Sequence, residues 1–210
     1  MISIFYPHHA QPADASLTTA ACRPVNRGAI TLIEAGVYFI LAILVIAVAF
    51  TQGGSLFNRN DATTEYTNAG EILSNTRSML KTNGIYNFSS AANMTGALIE
   101  FGGAPGGMTI VGTKSSGTAT LANLWGGAVT VQPVATAGGQ KSSFSLTYNA
   151  VPQEACITLA TKLSADSNVV ATKVNGTTTN GVVETSAVGT QCTADSGSAG
   201  TNVLTFTSAT

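Results

Sequence analysis

Charge is scarce in this chain. Lys, Arg, Asp and Glu make up 9% of its 210 residues, against about 25% in an average soluble domain. Nine basic and ten acidic residues leave a formal net charge of −1, so the basic footprint that nucleic acid requires is missing. Histidine is nearly absent: His8 and His9 stand side by side near the start, and no other occurs. Everything after them lacks an imidazole for general-base catalysis or metal ligation. Tryptophan occurs once, at Trp125, and cysteine three times, at Cys22, Cys156 and Cys192. A phosphate loop is lacking too. Gly102-Gly103 and Gly106-Gly107 have no Lys-Ser or Lys-Thr at the required spacing and no helix start behind them.

What the chain does have is one long apolar run, from Arg27 to Phe50. Roughly twenty apolar residues span the hydrocarbon core of a bilayer as a helix. Glu34 is the only charge between Arg27 and Arg59 and sits one turn into the run. A carboxylate there costs about 2.5–3.5 kcal/mol on insertion scales, so it calls for a positively charged partner. Ahead of the run lies a polar stretch with Pro7, Pro12 and Pro24, whose charges are Asp14, Arg23 and Arg27. The basic excess next to the membrane keeps that end cytoplasmic. An uncut signal anchor would use the same run but gives Glu34 no role. A secretory signal would use Ala47-Val48-Ala49 as its small-x-small cleavage site. The preceding stretch is long for an n-region, and the run exceeds the usual h-region of about 7–15 residues.

Beyond the run, Gly53-Gly54 weakens a helix by roughly 1 kcal/mol per glycine. Either a kink or a meltable stretch in one helix, or a loop between two helices, follows. Phe57, Ala62, Tyr66, Ala69, Leu73, Thr76 and Leu80 then recur at helical steps, with Ile72 and Met79 widening the stripe. Arg59, Asp61, Glu65, Asn68, Glu71 and Arg77 lie between them, and the spacing of Glu65 and Glu71 reads as a solvated face. Asn83-Gly84 is the expected stop. Residues 85–116 read as a Gly-, Asn- and Ser-rich excursion holding a short strand or helical turn. Strands are expected at Ala128–Val131, at Phe144–Tyr148 with its period of two, and at Asn168–Val174, Val182–Val188 and Asn202–Phe206. Val151–Leu163 reads as a helix, with Pro152 at its start, an early Glu154 and a late Lys162. Cys156 lies on that helix and Cys192 in the loop before the last strand.

Three stretches together carry a family likeness. Arg27-Gly28-Ala29, followed by a short apolar piece, Glu34 and a long apolar helix, is similar to the N-terminus of type IV prepilins. Glu154-Ala155-Cys156-Ile157-Thr158-Leu159-Ala160-Thr161 resembles the cysteine-bearing helix of the bundle-forming pilin, of the type IVb class. Asn123-Leu124-Trp125-Gly126-Gly127, with the Val-rich strand and the Ser143–Thr147 strand behind it, resembles the turn and strands of the same protein. The long leader and the size also resemble the thin-pilus pilins of conjugative plasmids.

The resemblance implies an α+β type IV pilin fold, a long N-terminal helix packed on an antiparallel sheet with a disulfide-bounded C-terminal region. It divides the chain into a leader (1–28), a membrane and filament-core helix (29–51), an amphipathic half (52–84) and a globular head (85–210). A prepilin peptidase in the inner membrane would cut at Gly28 or Ala29 and methylate the new N-terminus. The family's glutamate is fifth in the mature chain; cleavage after Gly28 makes Glu34 sixth, and cleavage after Ala29 makes it fifth. Glu34 would then face the N-terminal amine of a neighbouring subunit. Removing the leader takes away Cys22 and both histidines, leaving no His-based triad or metal site. Cys156 and Cys192 remain as a pair outside the cytoplasm, where disulfides persist; two buried free thiols are the other reading.

The expected function is structural, not enzymatic, with no cofactor and no nucleic-acid partner. The chain would be the major subunit of a surface filament for adhesion, cell contact or the stabilising of mating pairs. Its partners would be further copies of itself, the peptidase and the inner-membrane assembly machinery. A minor pilin or pseudopilin is the nearest alternative, and a membrane-anchored or secreted adhesin that never polymerises comes from another class.

Overall fold

A computed structural model describes residues 32–197 and 199–210, with side chains at 36–44 and from 60 onward. In chain order come helices α1 (Leu32–Leu80) and α2 (Ala91–Glu100), strand β1 (Thr109–Val111) and a 3-10 turn (Lys114–Ser116). Strands β2 (Thr120–Ala122), β3 (Ala128–Val134) and β4 (Ser143–Val151) lead to helix α3 (Gln153–Ser164). Strands β5 (Val169–Val174) and β6 (Thr177–Asn180), helix α4 (Thr185–Gln191) and strand β7 (Asn202–Ser208) complete the chain. It divides into two units, Met1–Val45 and Ile46–Thr210.

The seven strands form one sheet in the order β1-β2-β3-β4-β7-β5-β6. Every pairing in it is antiparallel. The last strand enters the middle of the sheet, with Leu146 opposite Phe206 and Tyr148 opposite Leu204. The period of two in β4 thus sends Phe144, Leu146 and Tyr148 inward, where each is fully buried. Helix α1 meets this face with Ala62, Ala69, Ile72, Leu73 and Leu80, and α3 with Ala155, Leu159 and Leu163, all in one core. Each large apolar side chain so buried contributes about 1.5–3 kcal/mol. The α+β architecture expected from the sequence is the one found.

Several local expectations are corrected. Gly53-Gly54 falls inside α1, so a loop between two helices is not formed there. The helix ends at Leu80, three residues before Asn83-Gly84. That pair has φ of 51° and 83° and makes a tight turn in which Thr82 and Ile85 exchange both backbone hydrogen bonds. Met79, read as core, is 45% exposed. The segment Val182–Val188 is not a strand: its second half opens α4. There Val188 and Cys192, one helical turn apart, are both buried.

Two elements go beyond the sequence expectations. Helix α2 starts where the Ser90 side chain accepts the Asn93 N–H at 3.2 Å, a favoured N-cap. It covers the edge of β3, where the Thr95 hydroxyl accepts the Val131 N–H at 3.0 Å and donates to the Val131 carbonyl at 3.3 Å. Strand β6 returns from β5 through Asn175-Gly176, a two-residue turn with φ of 47° and 102°.

The Asn123–Gly127 turn before β3 is tightly built. The Asn123 carboxamide oxygen accepts N–H groups of Trp125 at 3.0 Å and Gly127 at 2.8 Å, while its amide donates to the Asn149 carbonyl at 2.8 Å. A Cβ at Gly127 would lie 1.8 Å from that same Asn149 carbonyl oxygen. Backbone cannot move away as a side chain can, so Gly127→Ala is expected to destabilise at the upper end of overpacking costs, about 3 kcal/mol. Urea unfolding of the detergent-solubilised full chain checks this; a loss under about 1 kcal/mol would show that the turn can rearrange.

Candidate functional site

The residues expected to act in processing and assembly lie near the start of the chain. Gly28 and Ala29 fall outside the described residues. Glu34 lies on the backbone of α1, and its side chain is outside the described part. Immediately after it, residues 36–44 are all exposed on α1. Val37, Tyr38, Phe39, Ile40, Leu41, Ile43 and Leu44 are each 52–72% exposed. These consecutive positions point to every side of a helix, so this is an apolar cylinder and not a stripe. Among the described residues of its own unit nothing covers it. Among the described residues no helix is long and apolar enough to cross a membrane; the run read as the membrane segment lies largely outside the described side chains.

Cys156 and Cys192 are disulfide-bonded, with their Cα atoms 6.0 Å apart and 36 positions between them in sequence. The first is buried on α3 and the second caps the C-terminus of α4. Pro152 stands at the N-cap of α3, and Asp195 accepts the Gln153 N–H at 2.8 Å. Fully buried Asn202 ties the segment after Cys192 to its surroundings. Its amide donates to the carbonyls of Val151 at 3.0 Å and Thr193 at 2.9 Å. Its oxygen accepts the Thr193 N–H and the Asn175 amide, both at 2.7 Å. The bridge and Asn202 therefore fasten one loop to α3, to the end of β4 and to the β5–β6 turn.

The sequence reading of Glu65 as solvated is wrong. Glu65 is fully buried, because Ala62, Glu65, Ala69, Ile72 and Thr76 recur at three- and four-residue steps and form the innermost line of α1. Its Oε1 accepts the Leu124 N–H at 2.7 Å and its Oε2 accepts the Asn68 amide at 3.3 Å. The Tyr148 hydroxyl comes next to the same carboxyl without a well-aligned hydrogen bond. Burial pushes the Glu65 pKa up, against the lowering by the Leu124, Asn68 and Tyr148 donors, and Asp61 adds a smaller upward push. Glu65 thus pins α1 to the Asn123–Gly127 turn. Glu71, by contrast, is exposed as expected. Among the described residues no three His, Cys, Asp or Glu side chains gather as metal ligands.

The family described as PilS N terminal matches residues 59–209 of the chain. Among solved structures, the chain is similar to the crystal structure of type IV b pilin from Salmonella typhi. The two are 40% identical, the match covers 69% of this chain and 97% of that one, and the TM-score is 0.61. An NMR structure of type IVb pilin (PilS) from Salmonella typhi matches at 39% identity, over 70% of this chain and 95% of that one, with a TM-score of 0.48. No curated protein sequence matches the chain. With a family match over more than half of its length and a 40% identical relative of the same fold, the chain belongs to the PilS family of type IVb pilins.

Proposed function

We propose that this pilin is the major subunit of a type IVb pilus, made as an inner-membrane precursor and polymerised through the N-terminal part of α1. The observation that carries the reading is the apolar helix surface at 36–44, exposed on all sides. Such a surface is stable in lipid or in a bundle of like helices, not in water. The segments 29–51 and 52–84 act as filament core and as the anchor of the head 85–210. A prepilin peptidase removes 1–28 at Gly28 or Ala29 and methylates the new terminus. Glu34 is costly in lipid, and a neighbour's N-terminal amine in the bundle offsets that cost. The pair therefore favours the filament over the membrane and sets its register. The filament serves contact between cells, including mating pairs, or adhesion.

The mass of the subunit released by shearing filaments from cells tests the reading. A chain beginning at Ala29 or Ile30, carrying one added methyl, is expected. A chain beginning near Phe50, or absence from the sheared fraction, would overturn it. Glu34→Ala is expected to insert and be cleaved normally while filament yield falls at least about tenfold, since leaving one partner of a buried pair alone costs about 3–5 kcal/mol. Normal yield of sheared filaments would remove Glu34 from assembly.

A further inference from the structure

The sheet has one face covered by α1 and α3 and a second, outward face of a different chemistry. In-register pairing lines up Thr130, Thr147, Thr205, Lys173 and Thr178 across five strands, β3 to β6. The hydroxyls of Thr147 and Thr205 lie 3.1 Å apart. Lys173, exposed on β5, is the only charge in the row. Beside it a groove of about 370 Å³ is lined by Lys173, Asn175, Gly176, Val203 and Thr205. That volume is within the range of small-molecule sites, about 300–1,000 Å³.

The wall of the groove is held rigidly. The Asn175 amide donates to the Gln191 carbonyl at 2.9 Å and to Asn202 Oδ1 at 2.7 Å, and its oxygen accepts the Val203 N–H at 2.8 Å. The tight Asn175-Gly176 turn is thereby locked to β7 and to the disulfide-bounded loop. A wall set before binding spares the ligand the cost of ordering it. One ammonium, a threonine hydroxyl and a 38% exposed valine match a ligand with one negative charge, neighbouring hydroxyls and an apolar ring face. A phosphate would be served by a second cation or a cluster of backbone N–H groups, and the groove lining offers no second cation.

We propose that this groove binds a carboxylated sugar, with Lys173 holding the carboxylate, Thr205 a ring hydroxyl and Val203 the C–H face of the ring. The site lies on the head and is independent of the filament-core helix, so it is tested without assembly. The full chain in detergent is passed over surfaces bearing multivalent glucuronate, N-acetylneuraminate or glucose. Binding to at least one acidic sugar, and not to glucose, is expected, with the two acidic arms separating a uronic from a nonulosonic source. Lys173→Gln is expected to weaken that binding at least tenfold, and Lys114→Gln, at another exposed lysine, to leave it unchanged. Raising the salt from 50 to 500 mM is expected to weaken it as well. Equal binding to glucose, undiminished binding by Lys173→Gln, or no binding to either acidic sugar would each overturn the proposal.

Discussion

Replacing Cys156 and Cys192 together by serine is expected to lower the stability of the pilin by about 3–4 kcal/mol. The figure follows from the loop that the bridge closes: 36 positions of separation restrict the unfolded chain by that much on the loop-entropy account. The native side argues for the same sign. Helix α4 has seven residues and buries only Val188 among them, far short of the length at which a helix holds itself in water. Its C-terminal end is fastened by Cys192 and, beyond it, by the hydrogen bonds of Asn202 to Val151, Thr193 and Asn175. Without the bridge those bonds still place the loop, so the variant is expected to fold with the same sheet while α4 exchanges its amide hydrogens faster. Urea unfolding with and without reductant measures the first effect, and hydrogen exchange resolved to α4 measures the second. A loss under about 1 kcal/mol would mean that the unfolded chain is already compact in this segment.

The parts of the fold that were legible in the sequence are those where one physical signal acted alone. The alternation of Phe144, Leu146 and Tyr148 gave β4, and Leu204 with Phe206 gave β7, because a half-buried strand leaves a period of two with little competition. Pro152, Glu154 and Lys162 mark α3, and Trp125-Gly126-Gly127 marks the turn before β3, each by local end and turn signals. Misreadings arose where two signals competed. Val182-Val183 and Val188 read as β-branched strand residues, but only Val183 and Val188 turn inward, and Cys192 one turn later makes the helical spacing. Strand β6, Thr177–Asn180, buries none of its residues, so hydrophobic patterning is silent there. Asn175-Gly176 alone carried a hairpin signal. For Glu65 the helical line Ala62, Glu65, Ala69, Ile72, Thr76 is present in the spacing, but its charge points to solvent. Its partner, the Leu124 N–H, is 59 residues away and leaves no local trace.

That buried carboxyl leads to the second large effect, a dependence of stability on pH. Burial raises the folded-state pKa of Glu65 above the ordinary carboxyl value, so the folded chain holds a proton that the unfolded chain releases. The resulting stabilisation is complete below the unfolded carboxyl pKa and is lost as pH rises through the folded one. Glu65→Gln keeps an oxygen for the Leu124 N–H and carries no charge, so this dependence is expected to vanish. At acid pH the wild type and Glu65→Gln are expected to unfold at similar urea concentrations. Toward neutral pH, Glu65→Gln is expected to become the more stable of the two. Glu65→Ala differs from both: the Leu124 N–H and the Asn68 amide lose their acceptor, which costs about 2–3 kcal/mol at every pH. Urea midpoints of the three chains from acid to neutral pH separate these effects. Should the wild type instead gain on Glu65→Gln as pH rises, the Leu124, Asn68 and Tyr148 donors outweigh burial and Glu65 is held as a carboxylate. In either case Glu65 ties α1 to the Asn123–Gly127 turn, as a buried acid group in a chain that has few charges.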